Sequence, residues 1–236
     1  MFPLWKLVLL CGLLTGTSAS LIEDLENEVL EKLKALLEKR IETSDSTLQA
    51  LLQKLVDDLK ALEESKSQAN AFQMIQDVKT LLEEELSEIF QVVYKVTGLN
   101  IRNVHILDIS VTSDGKRLSL SIPINADISY TLPLLGKVVD LGLNLDLQAT
   151  VSAETDDTTG DVTVVVECTS DQDSISLTVL NRRIALINKA VDAAVNFVRQ
   201  VLSLAVEYAV CPVLQTLIGL LDANYVQDLI DWFPGA

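Results

Sequence analysis

The sequence has few of the residues from which catalytic and metal sites are usually built. Its 236 residues include a single histidine, His105, and three cysteines. Without a cysteine–histidine cluster, the ligand set of a typical zinc site is missing. The Gly-x-Ser-x-Gly turn that carries the nucleophile of many hydrolases is also missing. We interpret His105, in a predicted strand, as structural rather than catalytic. The sequence therefore predicts a protein that is not an enzyme and that needs no metal or other cofactor.

Basic residues are also few. Lys and Arg together number 18 against 34 Asp and Glu, which gives a formal net charge of −16 at pH 7. A chain of this charge is repelled by nucleic acids and by anionic membrane surfaces. Nucleic acid is therefore excluded as a partner. Any contact with a membrane or an anionic lipid has to come from burial of apolar groups or from a local basic patch.

Aromatic residues make up only 5% of the chain, whereas hydrophobic residues as a whole make up 49%. The apolar content is therefore mainly aliphatic, and residues 21–236 contain 36 leucines. Ordinary globular domains contain proportionally fewer. This excess predicts that the protein uses a large aliphatic surface.

Residues 1–20, MFPLWKLVLLCGLLTGTSAS, form a separate unit. One basic residue, Lys6, precedes an apolar run at Leu7–Leu14, and small residues follow. This pattern is typical of a secretory signal peptide. The alternative, a membrane anchor, is disfavoured because the run is too short to cross a bilayer. We therefore predict a signal peptide at 1–20 that is removed, and a secreted, extracellular chain at 21–236.

Secretion changes how the cysteines are interpreted. Cys11 leaves with the signal peptide, so that Cys168 and Cys211 remain. An even number of cysteines in an oxidising compartment predicts one disulfide, and two free thiols are the alternative. The loop would span 211 − 168 = 43 positions, for which the chain-entropy relation gives about 4 kcal/mol. Pro212 follows directly, and within a helical stretch it is expected to force a kink or a restart.

The hydrophobic period divides the chain into helical and extended parts. Where apolar residues recur every three or four positions, we predict amphipathic helices. The predicted helices are 21–43, 48–62, 71–95 and 184–205, followed by a short one capped by Asp222. Where alternate residues are apolar, we predict half-buried antiparallel strands. The predicted strands are 118–132, 139–151, 162–168 and 175–179. With no repeat and no flexible linker, the chain is predicted to form one α+β domain.

Three other stretches have a functional interpretation that we do not favour. The run DDTTGD at 156–161 resembles a calcium loop in composition, but it lacks the spacing and closing glutamate of an EF-hand, so a solvated turn is preferred. The acidic run LLEEELSE at 81–88 is interpreted as a solvated helix face. The apolar stretch 201–221 is interrupted by Glu207 and Pro212. It is therefore predicted to be a core helix, and no integral membrane span is expected.

The apolar surface itself is the remaining candidate for function. One face of the predicted sheet and one face of the C-terminal helix leave room for an internal lipid, although such residues more often form only a core. The candidate lipid-facing residues are Ile122, Ile124, Ile128, Leu141, Leu143, Leu145, Ile187, Val191, Val195 and Val198.

Three stretches resemble the PLUNC proteins, the short, single-domain branch of the BPI-fold family, and above all its salivary members. They are the leader at 1–20, ECTSDQDSISLTVL at 167–180 and VCPVLQTLIGLLDANYVQDLI at 210–230. The resemblance implies one BPI-type domain, in which long amphipathic helices pack along a highly twisted antiparallel sheet around an elongated apolar cavity. It also implies that Cys168 and Cys211 are the family's disulfide.

The resemblance carries expectations about function as well. It implies secretion into saliva or onto mucosal surfaces, binding of bacterial lipopolysaccharide or another lipid, action at the bacterial surface, and antibacterial host defence without catalysis. Some members of the group lower surface tension, so a surfactant or wetting protein at air–liquid interfaces is the alternative. The chain differs from the larger, basic members in its single domain and its negative charge.

Overall fold

The computed structural model describes residues 27–39, 68–132, 136, 138–155, 162–169, 174–180, 188–219 and 221–232. The predicted signal peptide, the predicted helix at 48–62 and the DDTTGD run lie outside these ranges. The helices are α1 at 27–39, α2 at Gln68–Thr97, α3 at Asn188–Ala205, α4 at Cys211–Gly219 and α5 at Ala223–Trp232. A π-helical turn, Val206–Val210, joins α3 to α4.

The strands form one antiparallel sheet. They are β1 at Asn100–Ile106, β2 at Ser110–Ser113, β3 at Arg117–Thr131, β4 at Val138–Thr155, β5 at Val162–Thr169 and β6 at Ile175–Val179. The long strands β3 and β4 pair at the centre, β1 and β2 lie along the outer side of β3, and β5 and β6 lie along the outer side of β4. The predicted α+β class is confirmed.

The two faces of the sheet differ because side chains alternate along a strand. On β3 the even positions point to the core, and on β4 the odd positions do so. The register places Ile122 opposite Leu147 and Ile128 opposite Leu141, so that the aliphatic side chains form cross-strand pairs on one face. The helices cover that face and contribute to a single buried cluster. The opposite face carries Ser, Thr, Asn, Asp and Gln side chains.

Helix boundaries follow local chemistry. Gly98, with φ +75°, ends α2, and its N–H donates to the carbonyl oxygen of Tyr94 at 2.9 Å. This is the left-handed cap for which glycine is favoured. At the start of α5 the Asp222 carboxylate accepts a hydrogen bond from the N–H of Asn224 at 2.8 Å. The predicted N-cap is confirmed.

Of the kink or restart predicted at Pro212, the restart was wrong. The helix continues through this point, and the N–H of Cys211 donates to the carbonyl oxygen of Val206, five residues earlier. Proline lacks an N–H, and its ring would meet the carbonyl group of Tyr208 in a regular α-helix. The wider π-turn before Pro212 removes that conflict without ending the helix.

This continuous helix, Ala190–Gly219, is long and apolar enough to cross a membrane by length and composition, and its most apolar window has a mean hydropathy of 1.7. More than half of its most apolar window, 56%, is buried against the rest of the fold. Core helices of globular domains share this composition. Its burial favours the core interpretation made from the sequence.

The acidic run at 81–88 is solvated only in part. Glu84 and Glu88 are exposed, whereas Glu85 is only 6% exposed. Glu85 lies one helical turn from both Leu81 and Ile89, which are core residues. The sequence analysis missed the burial of Glu85 because it judged the run by its acidic composition and not by the helix face that each residue occupies.

Candidate functional site

The candidate site is the apolar interior between the helices and the inner face of the sheet. The disulfide between Cys168 on β5 and Cys211 at the start of α4 fixes one wall, with 5.5 Å between the two Cα atoms. Gln215, one turn further along α4, donates from Nε2 to the carbonyl oxygen of Val166 at 3.3 Å. A covalent bond and a hydrogen bond therefore hold α4 against β5.

The structure brings most of the predicted lipid-facing residues together. Seven of them are at most 3% exposed, and these are Ile122, Ile124, Ile128, Leu141, Leu143, Leu145 and Val198. Val191 and Val195 are partly buried and pack against the same cluster. Ile187 lies outside the described residues. The structure thus places nine of the ten candidates on one continuous apolar core.

An aromatic contact joins the sheet to α3. The rings of Tyr130 on β3 and Phe197 on α3 lie 5.5 Å apart between centroids, with a tilt of 36°. Both residues are buried, with exposures of 7% and 3%. The pair accounts for two of the four buried aromatic residues in the part of the chain that the structure describes.

Helix α1 covers the π-turn from outside, a contact that sequence periodicity did not reveal. Leu33 and Leu37 are fully buried. Lys34 Nζ lies 4.6 Å from the centroid of the Tyr208 ring, which is cation–π geometry. The hydrogen bond with Tyr208 raises the pKa of Lys34 above its ordinary value. Helix α1 is therefore held by the burial of Leu33 and Leu37 and by the contact between Lys34 and Tyr208.

The interior holds little that could perform chemistry. In the part of the chain that the structure describes, Glu85 and Ser113 are the buried polar or charged residues, and no group of three potential metal ligands is found. His105 is exposed on β1, opposite Asn125 of β3. The arrangement suits the burial of aliphatic chains.

Comparison with known proteins agrees with the architecture. Residues 35–221 match the LBP / BPI / CETP family, N-terminal domain. The chain belongs to this family. It is 48% identical over 232 residues to short palate, lung and nasal epithelium carcinoma-associated protein 2B of Bos taurus, a match that covers 98% of this chain and 94% of the bovine protein. It is 39% identical over 237 residues to BPI fold-containing family A member 2 of Homo sapiens, with 98% and 95% covered.

These relatives place the chain in the PLUNC branch of the LBP / BPI / CETP family, as the sequence resemblance indicated. Among solved structures, the solution structure of latherin matches with 17% identity and a TM-score of 0.41, covering 75% of this chain and 89% of latherin. Family membership supports, in general terms, a secreted protein with a lipid-binding role in host defence.

Proposed function

We propose that this protein is a secreted host-defence protein of saliva or mucosal fluid that binds lipid, including bacterial lipopolysaccharide, by burying acyl chains in its interior. The observation that carries the proposal is the inner face of the sheet, where aliphatic side chains oppose each other along β3 and β4. The bovine relative's name refers to palate, lung and nasal epithelium, which supports a mucosal site. The signal peptide at 1–20 is part of the proposal.

The charge of the chain defines how such a ligand would be held. At −16 the protein repels the phosphates of a lipid headgroup at long range. Acyl chains, by contrast, gain about 0.8 kcal/mol for each methylene group that leaves water. We therefore assign recognition to the acyl part of the ligand, with the headgroup at the protein surface.

Native mass spectrometry of the secreted protein, followed by lipid extraction, tests the proposal. We expect about one or two acyl-chain lipids bound per protein chain. The N-terminus of the same sample should lie near residue 21. A protein free of lipid that also fails to bind lipopolysaccharide at physiological salt would contradict the proposal.

A substitution pair can locate the ligand. Val195 is partly buried against the core from α3, so Val195→Trp should fill space at the junction of helix and sheet and lower lipid occupancy. Val138, 48% exposed at the start of β4, provides the matched control, and Val138→Trp should leave occupancy unchanged. Equal occupancy in both folded variants would place the lipid elsewhere.

A second function is favoured by one observation. The most apolar window of the helix Ala190–Gly219 has a mean hydropathy of 1.7, and a surface-active protein needs such a segment to spread at an air–water interface. A wetting protein of this kind needs no internal ligand. It should lower surface tension at micromolar concentration even after complete delipidation, and an unchanged surface tension would eliminate this alternative.

A further inference from the structure

Strand β5 lies at the border of the sheet, and its outer edge is the longest regular one in the part of the chain that the structure describes. The strand has eight residues and pairs with β4 without a shift of register. Among the other outer strands, β2 has four residues, β6 has five and β1 contains a bulge. Short strands and bulges make an edge a poor template for a further strand. The edge of β5 lacks both of these protections.

The backbone direction along β4 identifies the groups at this edge. The N–H of Leu180 donates to the carbonyl oxygen of Asp140 at 2.9 Å, so the backbone groups of even-numbered residues of β4 point toward β5 and β6. The pairing continues without a break and places Ser152 opposite Val165. Odd-numbered residues of β5 therefore bond to β4, whereas the even-numbered ones direct their N–H and C=O groups away from the sheet. These outward residues, which we call the β5 edge, are Val162, Val164, Val166 and Cys168.

Helix α4 blocks part of the β5 edge. Gln215 Nε2 donates to the carbonyl oxygen of Val166 at 3.3 Å, so a side chain occupies an acceptor that a further strand would use. The disulfide between Cys168 and Cys211 holds the start of α4 beside the same strand. A strand can therefore pair along the whole β5 edge only when Gln215 leaves Val166.

The sequence of β5, VTVVVECT, favours pairing with another strand. Four of its eight residues are valine, a β-branched residue that is enriched in strands. It contains neither lysine nor proline, the residues that often prevent addition to an edge strand. Its one charged residue is Glu167, although the whole chain carries −16. The strand is thus apolar and nearly uncharged within an acidic protein, so charge opposes a second copy less here than elsewhere on the chain.

A two-fold axis at Val165 would bring two copies of β5 into register. In an antiparallel pair about this axis, Val164 lies opposite Val166 of the other copy, so the outward backbone groups meet. Glu167 then lies opposite Thr163, which keeps the like charges of the two copies apart. We propose that β5 is a self-association surface, to which β5 of a second copy adds antiparallel, and that α4 keeps this surface closed.

Opening the β5 edge should convert the monomer into a dimer. Sedimentation velocity of the mature protein would compare wild type, Gln215→Ala and Cys168→Ser/Cys211→Ser at about 10–100 μM, where exposed strand edges associate. We expect a monomeric wild type, a partial shift toward dimer for Gln215→Ala and the largest shift for the double variant. Gly98→Ala, which lowers stability at the end of α2, is the control for destabilisation and should stay monomeric. Circular dichroism selects the conditions under which every variant retains its sheet.

Substitutions of one residue locate the contact. In the double variant, Val165→Lys places two positive charges opposite each other across the axis and should restore the monomer. Val165→Cys in the same background should form an intermolecular disulfide on air oxidation, because opposed residues that share no hydrogen bonds have the closest side chains. Val138→Cys, at a position 48% exposed outside β5, is the matched control and should not.

These measurements do not depend on lipid binding, because delipidated protein serves for all of them. The proposal is overturned if every folded variant is monomeric. It is also overturned if the dimer persists with Val165→Lys, or if Val138→Cys cross-links as readily as Val165→Cys, since either result places the contact on another surface.

Discussion

At the scale of single residues, Cys168 and Cys211 have a large expected effect on stability. Their bond crosses 43 positions of sequence, and it joins a strand to the helix that covers it. Closing a loop of this length removes conformational entropy from the unfolded chain, about 4 kcal/mol on the chain-entropy relation. The bond stabilises the candidate site because α4 forms one of its walls.

Cys211→Ser should therefore lower the free energy of unfolding by about 2–5 kcal/mol, measured by urea denaturation. The preference for lipid headgroup should not change, because the disulfide lies within the fold. Cys168→Ser and the double variant serve as controls and should lose about as much as Cys211→Ser. A Cys211→Ser protein as stable as wild type would mean that the bond contributes nothing to stability.

The hairpin between β2 and β3 depends on one carboxylate. Asp114 Oδ1 accepts from the N–H of Lys116 at 2.8 Å and from the N–H of Arg117 at 2.7 Å. Gly115 supplies the positive φ, +82°, that the turn requires. The backbone hydrogen bonds from Lys116 and Arg117 lower the pKa of Asp114, and the Arg117 side chain adds a smaller effect.

This lowered pKa predicts a dependence of stability on pH. Because the folded-state pKa lies below the unfolded-state pKa, ionised Asp114 favours folding. Its contribution is fully present above the unfolded-state pKa and is lost as pH falls through the folded-state pKa. NMR titration should find the Asp114 pKa below its usual value, and Asp114→Asn should reduce the acid dependence of unfolding.

A control separates the two causes of this shift. Arg117→Gln removes the guanidinium, which lies 3.9 Å from the Asp114 carboxylate, but retains the backbone N–H. The Asp114 pKa should therefore stay low in this variant, since exposed ion pairs contribute little. A return of the pKa to its ordinary value would assign the shift to the side chain.

At the scale of elements, two glycines at helix ends should respond in opposite directions to substitution by alanine. Gly98 has φ +75°, so Gly98→Ala should cost about 1–2 kcal/mol. Gly219, in the last turn of α4, has ordinary φ and open space around an added Cβ, and Gly219→Ala should stabilise by up to about 1 kcal/mol. Urea denaturation of both variants measures the difference. A gain in stability for Gly98→Ala would contradict the cap assignment.

How well an element could be predicted depends on how regular it is. The alternation in β3 and β4 is unbroken over more than ten residues, so both strands were placed from sequence to within a few residues. Strands β1 and β2 were not delimited, because the bulge at Asn103 breaks the alternation in one and the other has only four residues. The π-turn was missed because Pro212 shows where a helix is strained but not how the strain is resolved.

The candidate site was likewise predictable only in its regular part. Its inner sheet face was predictable, because burial there follows the period of two. The contact between Lys34 and Tyr208 was not predictable, because it joins segments far apart in sequence. Periodicity reports which face of an element is buried. It does not report which other element meets that face.

At the scale of the whole molecule, an acidic surface encloses an aliphatic core. The net charge of −16 keeps the protein soluble and weakens contact with anionic surfaces. The apolar core offers a favourable environment for acyl chains. If both properties act together, ligand affinity should depend on acyl-chain length and very little on ionic pairing.

Salt titration of lipopolysaccharide binding tests this. Between about 0.1 M and 1 M salt the Debye length falls from about 10 Å to about 3 Å, whereas hydrophobic burial is not screened. The Kd measured by titration calorimetry should therefore change by less than about twofold, or tighten as repulsion is screened. A lipopolysaccharide preparation stripped of its acyl chains should show no binding at micromolar concentration. A tenfold loss of affinity with salt would instead require a basic patch as the binding site, and the acyl-chain mechanism would then be wrong.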